Sequence, residues 1–185
     1  MLHIKNTADH YGLIAVILHW FIAILILFLI FLGFYMVSFP DAGFTQKKIR
    51  LVLLHKELGL WVLCAVMVRL LWRWCNVTIL LPDGLPLWQK TTAHCAHGML
   101  YFFMLAMPLT GWLMSGAGGY PSFFLGHMLP DLIGVNFDAF LWYKDVHRWL
   151  GYGLSLTLSG HATAALLHHF ILKYGVLRSM LFFRK

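Results

Sequence analysis

Imidazoles occur here where a membrane-spanning segment would ordinarily carry only hydrocarbon. The stretch GLIAVILHWFIAILILFLIFLGFYMVSF, from Gly12 to Phe39, has no formal charge, yet His19 stands about two turns inside it. Further histidines fall in or beside the other apolar stretches: His55; His94 and His97; His147, His161, His168 and His169. An ionisable side chain inside a bilayer is costly and points to function by default. A single one can also do no more than hydrogen-bond a neighbouring helix. A set spread over every apolar stretch argues for a shared functional task.

Spacing sharpens that reading. His147 and His161 are 14 residues apart, so on a helix they share a face to within about 40° and lie about 21 Å apart along the axis. His147 falls near the outer end of the fourth apolar stretch and His161 towards its inner side. His19 lies in the inner half of the first stretch, and His55 in the outer half of the second. The four therefore pair by depth, His55 with His147 outside and His19 with His161 inside. Two bis-imidazole sites stacked across a bilayer suit two b-type haems. A flat macrocycle also needs small residues one turn from its ligand. Gly59, Gly151, Ala23 and Ala165 follow the four histidines at i+4, although small residues also simply aid helix packing. His97 has Tyr101 at that position and His168 has Leu172, whereas His94 has Gly98 and remains a competitor for the inner site. A zinc site would need about four ligands converging on one point. A proton-relay transporter would more typically show intramembrane carboxylates.

The elements that must position these residues are membrane helices. The chain has 185 residues, 61% hydrophobic and 11% charged, whereas soluble domains carry roughly a quarter charged residues. Four spans are expected, at roughly 13–37, 50–72, 93–115 and 147–171, forming a single all-α four-helix bundle over 1–185. Hydropathy is expected to be faintest in the second, where Lys56, Glu57 and Arg69 leave a short charge-free centre. Residues 116–146, rich in Gly, Pro and aromatics, read as a surface loop or interfacial piece. The first span starts too late and runs too long for a cleaved signal peptide. Cys64, Cys75 and Cys95 give no disulfide framework, and no Cys-x-x-Cys-His occurs, so haem would be held non-covalently.

Charge sets the expected orientation. Lys5, Arg69, Arg73, Lys90, Lys173, Arg178, Arg184 and Lys185 flank one side, with only Asp9 and Asp83 as acids. The other side carries Lys47, Lys48, Arg50, Lys56, Lys144 and Arg148 against Asp41, Glu57, Asp131, Asp138 and Asp145. This bias puts both termini in the cytoplasm, opposed in part by the Lys47–Arg50 cluster. The net charge of +7 then reflects topology rather than nucleic-acid binding.

Four fragments in order carry a family likeness: ILHW; LLHKELGLWVLCAVMVRLLWR; AHCAHGMLYFFMLAMPLTGWLMSGAGGYP; and VHRWLGYGLSLTLSGHATAALLHHF followed by KYGVLRSM. With the 14-residue His147–His161 spacing, the chain resembles the bacterial cytochrome b561 family of small, four-span, dihaem membrane cytochromes. The resemblance implies a place in the bacterial inner membrane, with His19, His55, His147 and His161 as axial ligands of two haems b. It also implies electron transfer between the periplasmic face and the quinone pool, including superoxide oxidation coupled to ubiquinone reduction.

Other residues are candidates for roles around such sites. Arg69 and Arg73 suit inner haem propionates and equally serve as topology determinants. Lys56 and Arg148, with Lys47, Lys48 and Arg50, could hold outer propionates or attract a small anion, or form an ordinary basic loop. His94, His97 and His168 are candidates near the inner end; His168 shares His161's face and lies about 10.5 Å beyond it, where it could meet a quinone or lipid headgroups. Two rival readings stand beside this one. The chain could be the haem-bearing anchor of a larger oxidoreductase, or serve a periplasmic electron carrier. It could also be a haemless transporter.

Overall fold

The computed structural model describes residues 4–7, 11–38, 45–77, 86–174 and 177–180. Asp9, Asp41, Asp83, Arg184 and Lys185 of the charge argument lie outside them, as do Gly175 and Val176 of the last family fragment. Four long helices carry the chain: α1 (Leu13–Val37), α2 (Gln46–Trp74), α3 (Leu87–Ala117) and α4 (Phe137–Phe170). A short 3₁₀ turn, Arg178–Met180, lies near the C-terminus.

The first helix has the expected bounds. The second begins four residues early, where the Thr45 side chain accepts a hydrogen bond from the Lys48 amide at 3.3 Å and caps it. The third begins at Leu87, straight after Pro86, whose fixed φ suits a helix start. The fourth departs most from expectation. It starts at Phe137, so 137–146 is helix and not loop. Asn136 caps it by accepting from the Ala139 amide, and Asp138 stands in the first turn, where the helix dipole favours an anion. The rest of the expected loop holds a small antiparallel hairpin, β1 (Ser122–Phe124) and β2 (His127–Leu129). Its two-residue turn, Leu125–Gly126, has φ of 53° and 79°. Positive φ at both positions is what a tight hairpin turn of this length demands, and glycine supplies it at one of them without strain.

By length and composition α1, α2 and α3 are suited to crossing a membrane. The faint helix is α4, not the second as expected: its 34 residues are long enough but are diluted by Gly, Ser, Thr and His. Large apolar side chains such as Phe21, Ile24, Phe28 and Phe31 point outward from α1. That is how a helix apolar on all sides sits when its surroundings are lipid.

Successive helices run antiparallel. Lys56, early in α2, reaches the Tyr120 and Pro121 carbonyls just past the end of α3. At the opposite end Trp20, early in α1, donates to the Met180 carbonyl at 2.6 Å, and Asn6 donates to the Val77 carbonyl at 3.1 Å. The bundle thus has a hairpin end and a terminal end, the latter where α1 begins and α4 finishes. Between them lies a packed layer of Ile22 and Ile26 from α1, Val62, Ala65 and Val66 from α2, Phe103 from α3 and Leu154 from α4. Val66 is fully buried. Gly153 makes the layer possible, because a Cβ there would stand 2.7 Å from the Phe103 ring.

Overpacking a core by one methyl group costs about 1–3 kcal/mol. Gly153→Ala is therefore expected to lower the thermal midpoint of the detergent-solubilised protein, and Phe103→Leu in the same chain to restore part of the loss. Unchanged melting of Gly153→Ala would show that the ring yields freely.

Candidate cofactor-binding sites

The layer of apolar side chains separates two imidazole pairs. At the hairpin end the His55 and His147 rings face each other with centres 6.4 Å apart and planes at 74°. At the terminal end His19 and His161 do the same at 6.5 Å and 66°. A first-row metal binds an imidazole nitrogen at about 2.0 Å, and the ring centre lies about 1.1 Å behind that nitrogen, so two imidazoles on opposite sides of one ion have centres about 6.2 Å apart. Both pairs have that separation. Among the described residues no three His, Cys, Asp or Glu side chains converge on one point. Each pair offers two ligands, the number needed by a metal already held in a plane by a macrocycle.

The surroundings fit such a group unevenly. A Cβ on Gly59, one turn after His55, would meet nothing within 4 Å, which leaves that face clear for a flat ring. At Gly151, one turn after His147, the Cβ position is 3.7 Å from the Met107 methyl carbon, an ordinary contact with the end of a flexible side chain. Small residues also stand close to these imidazoles from other helices. A Cβ on Gly111 of α3 would stand 3.3 Å from His147 Cε1, and one on Gly33 of α1 would stand 3.6 Å from His55 Cε1. The buried Nδ1 of His55 has no hydrogen-bond partner, whereas His147 Nδ1 lies 3.1 Å from the Thr110 hydroxyl. Thr110, Gly111 and Gly33 were absent from the sequence-based candidates. The Pro-Leu-Thr-Gly run at 108–111 was the visible trace of Thr110 and Gly111, since small residues inside a membrane helix allow close approach.

A third imidazole joins the terminal-end pair. The His97 ring centre is 5.3 Å from that of His161, nearer than a shared metal would place it. One turn along α3, the Tyr101 hydroxyl accepts from Arg69 Nε at 3.2 Å, while the Arg73 guanidinium stands 5.8 Å from the Tyr101 ring centre. Tyr11 belongs to the same cluster. Burial pushes its phenol above the usual 10.0, against the pull of Arg73 and Arg69, so it keeps its proton at neutral pH. Two guanidiniums beside the His19–His161 pair are the arrangement an anionic group would seek.

The remaining candidates are placed elsewhere. His94 is exposed. His168 lies against Tyr174, with ring centres 5.9 Å apart, and its buried Nδ1 has no partner. At the hairpin end Lys56 Nζ donates to the Pro121 carbonyl at 2.6 Å and the Tyr120 carbonyl at 3.3 Å, so its ammonium is engaged in fastening a loop. Arg148 pairs with Asp145 at 3.1 Å, and both side chains are largely exposed.

Known proteins resemble this sequence along nearly its whole length. A family model described as prokaryotic cytochrome b561 matches residues 10–183. The chain belongs to that family. It is 32% identical to cytochrome b561 homolog 2 of Escherichia coli over 182 residues, 95% of this chain and 93% of that one. Cytochrome b561 homolog 1 of the same organism is 31% identical over 148 residues, 80% of this chain and 82% of the relative. A protein named probable superoxide oxidase CybB, from Yersinia pestis, is 26% identical over 174 residues, 92% of this chain and 95% of that one. This chain is accordingly a membrane haem protein of the b type, and the imidazole pairs are its candidate haem sites.

A hydrogen bond to a charged donor contributes about 1.5–3 kcal/mol, less where water competes. Lys56→Met should therefore raise amide hydrogen exchange across 118–129 several-fold, with exchange in the α2–α3 core unchanged. Equal exchange in both proteins would mean that the Lys56 contact does not hold the loop.

Proposed function

We propose that this cytochrome b561 family member binds two non-covalent haems b and carries electrons from superoxide at one membrane face to ubiquinone in the bilayer. The observation that carries the reading is the pair of imidazole couples, each at the separation for one shared metal, at opposite ends of the bundle. His55 and His147 would hold one haem, and His19 and His161 the other. Haem iron, when bound, supplies reversible one-electron chemistry, and two axial imidazoles leave it no open position for binding oxygen.

In this reading all four helices cross the bacterial inner membrane, with both termini in the cytoplasm and the hairpin end facing the periplasm. Superoxide is a small anion and enters hydrocarbon poorly, so it must react at the hairpin end. A shallow hollow there of about 390 Å³ is lined by Gln46, Lys47, Arg50 and Leu51. Such a cationic surface raises the local concentration of anions. Arg69 and Arg73 would hold anionic propionates at the terminal end. The overall balance is two superoxide anions, one ubiquinone and two protons giving two dioxygen molecules and one ubiquinol. The likeness to the probable superoxide oxidase of Yersinia pestis supports the choice of donor.

Haem should be fully extracted by acidified organic solvent, at two per chain. His55→Ala or His147→Ala should lower the content to one by emptying the hairpin-end site, and His19→Ala or His161→Ala should do the same at the terminal end. Retention of the terminal-end bis-imidazole spectrum in His161→Ala, with its loss in His97→Ala, would reassign that ligand.

Stopped-flow mixing with a superoxide source should reduce the haems rapidly, and added ubiquinone should reoxidise them. The first step should slow with added salt, because screening shortens the reach of exposed charges to about 8 Å at physiological ionic strength. Haems that stay oxidised under superoxide, yet are reduced by a partner dehydrogenase or periplasmic carrier, would instead make the chain a membrane anchor.

A further inference from the structure

One ligand of the hairpin-end pair is supported and the other is not. His147 Nδ1 lies 3.1 Å from Thr110 Oγ1. Thr110 is itself held by its own helix, with its hydroxyl 2.8 Å from the Ala106 carbonyl and 3.0 Å from the Met107 carbonyl. A hydroxyl has a single proton, and here two backbone carbonyls lie in reach of it. Its lone pairs are then what it presents to the imidazole. The hydroxyl facing Nδ1 is thus an acceptor, and that ring nitrogen carries the proton. A neutral imidazole with Nδ1 protonated bears its lone pair on Nε2.

Local sequence accounts for the position of the hydroxyl. Pro108 lies inside α3, where its missing N–H and its ring disturb the preceding turn. Thr side chains commonly return to backbone carbonyls at such places in membrane helices. Gly111 completes the approach, because a Cβ there would crowd the His147 ring at 3.3 Å. His55 has no equivalent brace: its Nδ1 is buried without a partner.

We propose that Thr110 is a positioning residue that fixes His147 as the Nδ1–H tautomer, so that Nε2 is the metal-binding nitrogen and the imidazole is a stronger electron donor. This rests on the reading of His147 as an axial ligand. A hydrogen-bond acceptor on the other ring nitrogen of a ligating histidine orients the ring and raises its basicity. A more basic axial ligand favours the oxidised metal, so the hydroxyl holds the reduction potential of the hairpin-end haem down.

The test uses the dihaem protein with Thr110→Val, Thr110→Ala and Thr110→Ser, read by spectroelectrochemical titration, by the low-spin ferric haem signals in electron paramagnetic resonance, and by haem content. The terminal-end haem serves as the internal control. Thr110→Val and Thr110→Ala should shift the hairpin-end potential upward by about three- to tenfold in the one-electron equilibrium constant, roughly 30–60 mV, or should lose that haem alone. Thr110→Ser, which keeps the hydroxyl, should titrate like the parent. Unchanged potentials and signals in Thr110→Val and Thr110→Ala would overturn the proposal. So would equal impairment in Thr110→Ser, or equal disturbance of both haems. His147→Ala tests the underlying ligand assignment separately: if it keeps two bis-imidazole haems, that assignment fails whatever Thr110 does.

Discussion

Burying an imidazole nitrogen in hydrocarbon without a partner is unfavourable, and the Nδ1 of His55 is so buried, at a cost of about 1–3 kcal/mol. Each of the four paired rings is held opposite another at a separation one metal ion would span. Holding two rings on different helices at that separation requires the helix axes to be fixed. The layer of Ile22, Ile26, Val62, Ala65, Val66, Phe103 and Leu154 does the fixing, midway between the pairs. Phe103 packs so closely against Gly153 that α3 and α4 are joined there with no room for a Cβ, and α4 supplies one imidazole to each pair. Packing in the middle and chemistry at the two ends are thus one mechanical arrangement.

Much of this was legible in the sequence because helical periodicity converts numbers into geometry. The 14-residue interval between His147 and His161 fixed their face and height before any coordinates, and the depths of His19 and His55 followed from the alternation of span direction. The structure places exactly those rings opposite one another. What periodicity could not reach was the contact between helices. The Met107 side chain of α3 lies in ordinary contact with Gly151, one turn after His147. Lys56, a candidate for holding an anion, donates to two carbonyls of a loop 64 and 65 residues further on. Both contacts depend on a partner distant in sequence, which a single-helix argument cannot see.

The expected loop failed for a different reason. Its Gly, Pro and aromatic content correctly marked turns, and a tight hairpin is there at Leu125–Gly126. Composition alone hid the helix that follows, whose start is set by one capping residue, Asn136, and a favourably placed Asp138. The extra turns carry α4 well past His147, and Trp112 Nε1 ties α3 to the same region by donating to the Pro130 carbonyl at 3.2 Å. The hairpin end is consequently a fastened structure rather than a fringe of loops.

The two ends therefore differ in kind, although their imidazole pairs are nearly superposable in geometry. At the hairpin end Lys56 fastens the loop to α2, and the brace on His147 is a small neutral hydroxyl. At the terminal end Tyr11, Arg69, Arg73, Tyr101 and a third imidazole, His97, gather around the pair. Groups of the second kind can bind anions and carry protons; those of the first kind mainly hold geometry. A cofactor bound equally by two imidazoles at each end would still feel different fields, since two guanidiniums near one site favour the extra electron there. The two ends differ, then, not in their imidazole pairs but in the side chains that α2 and α3 bring beside them.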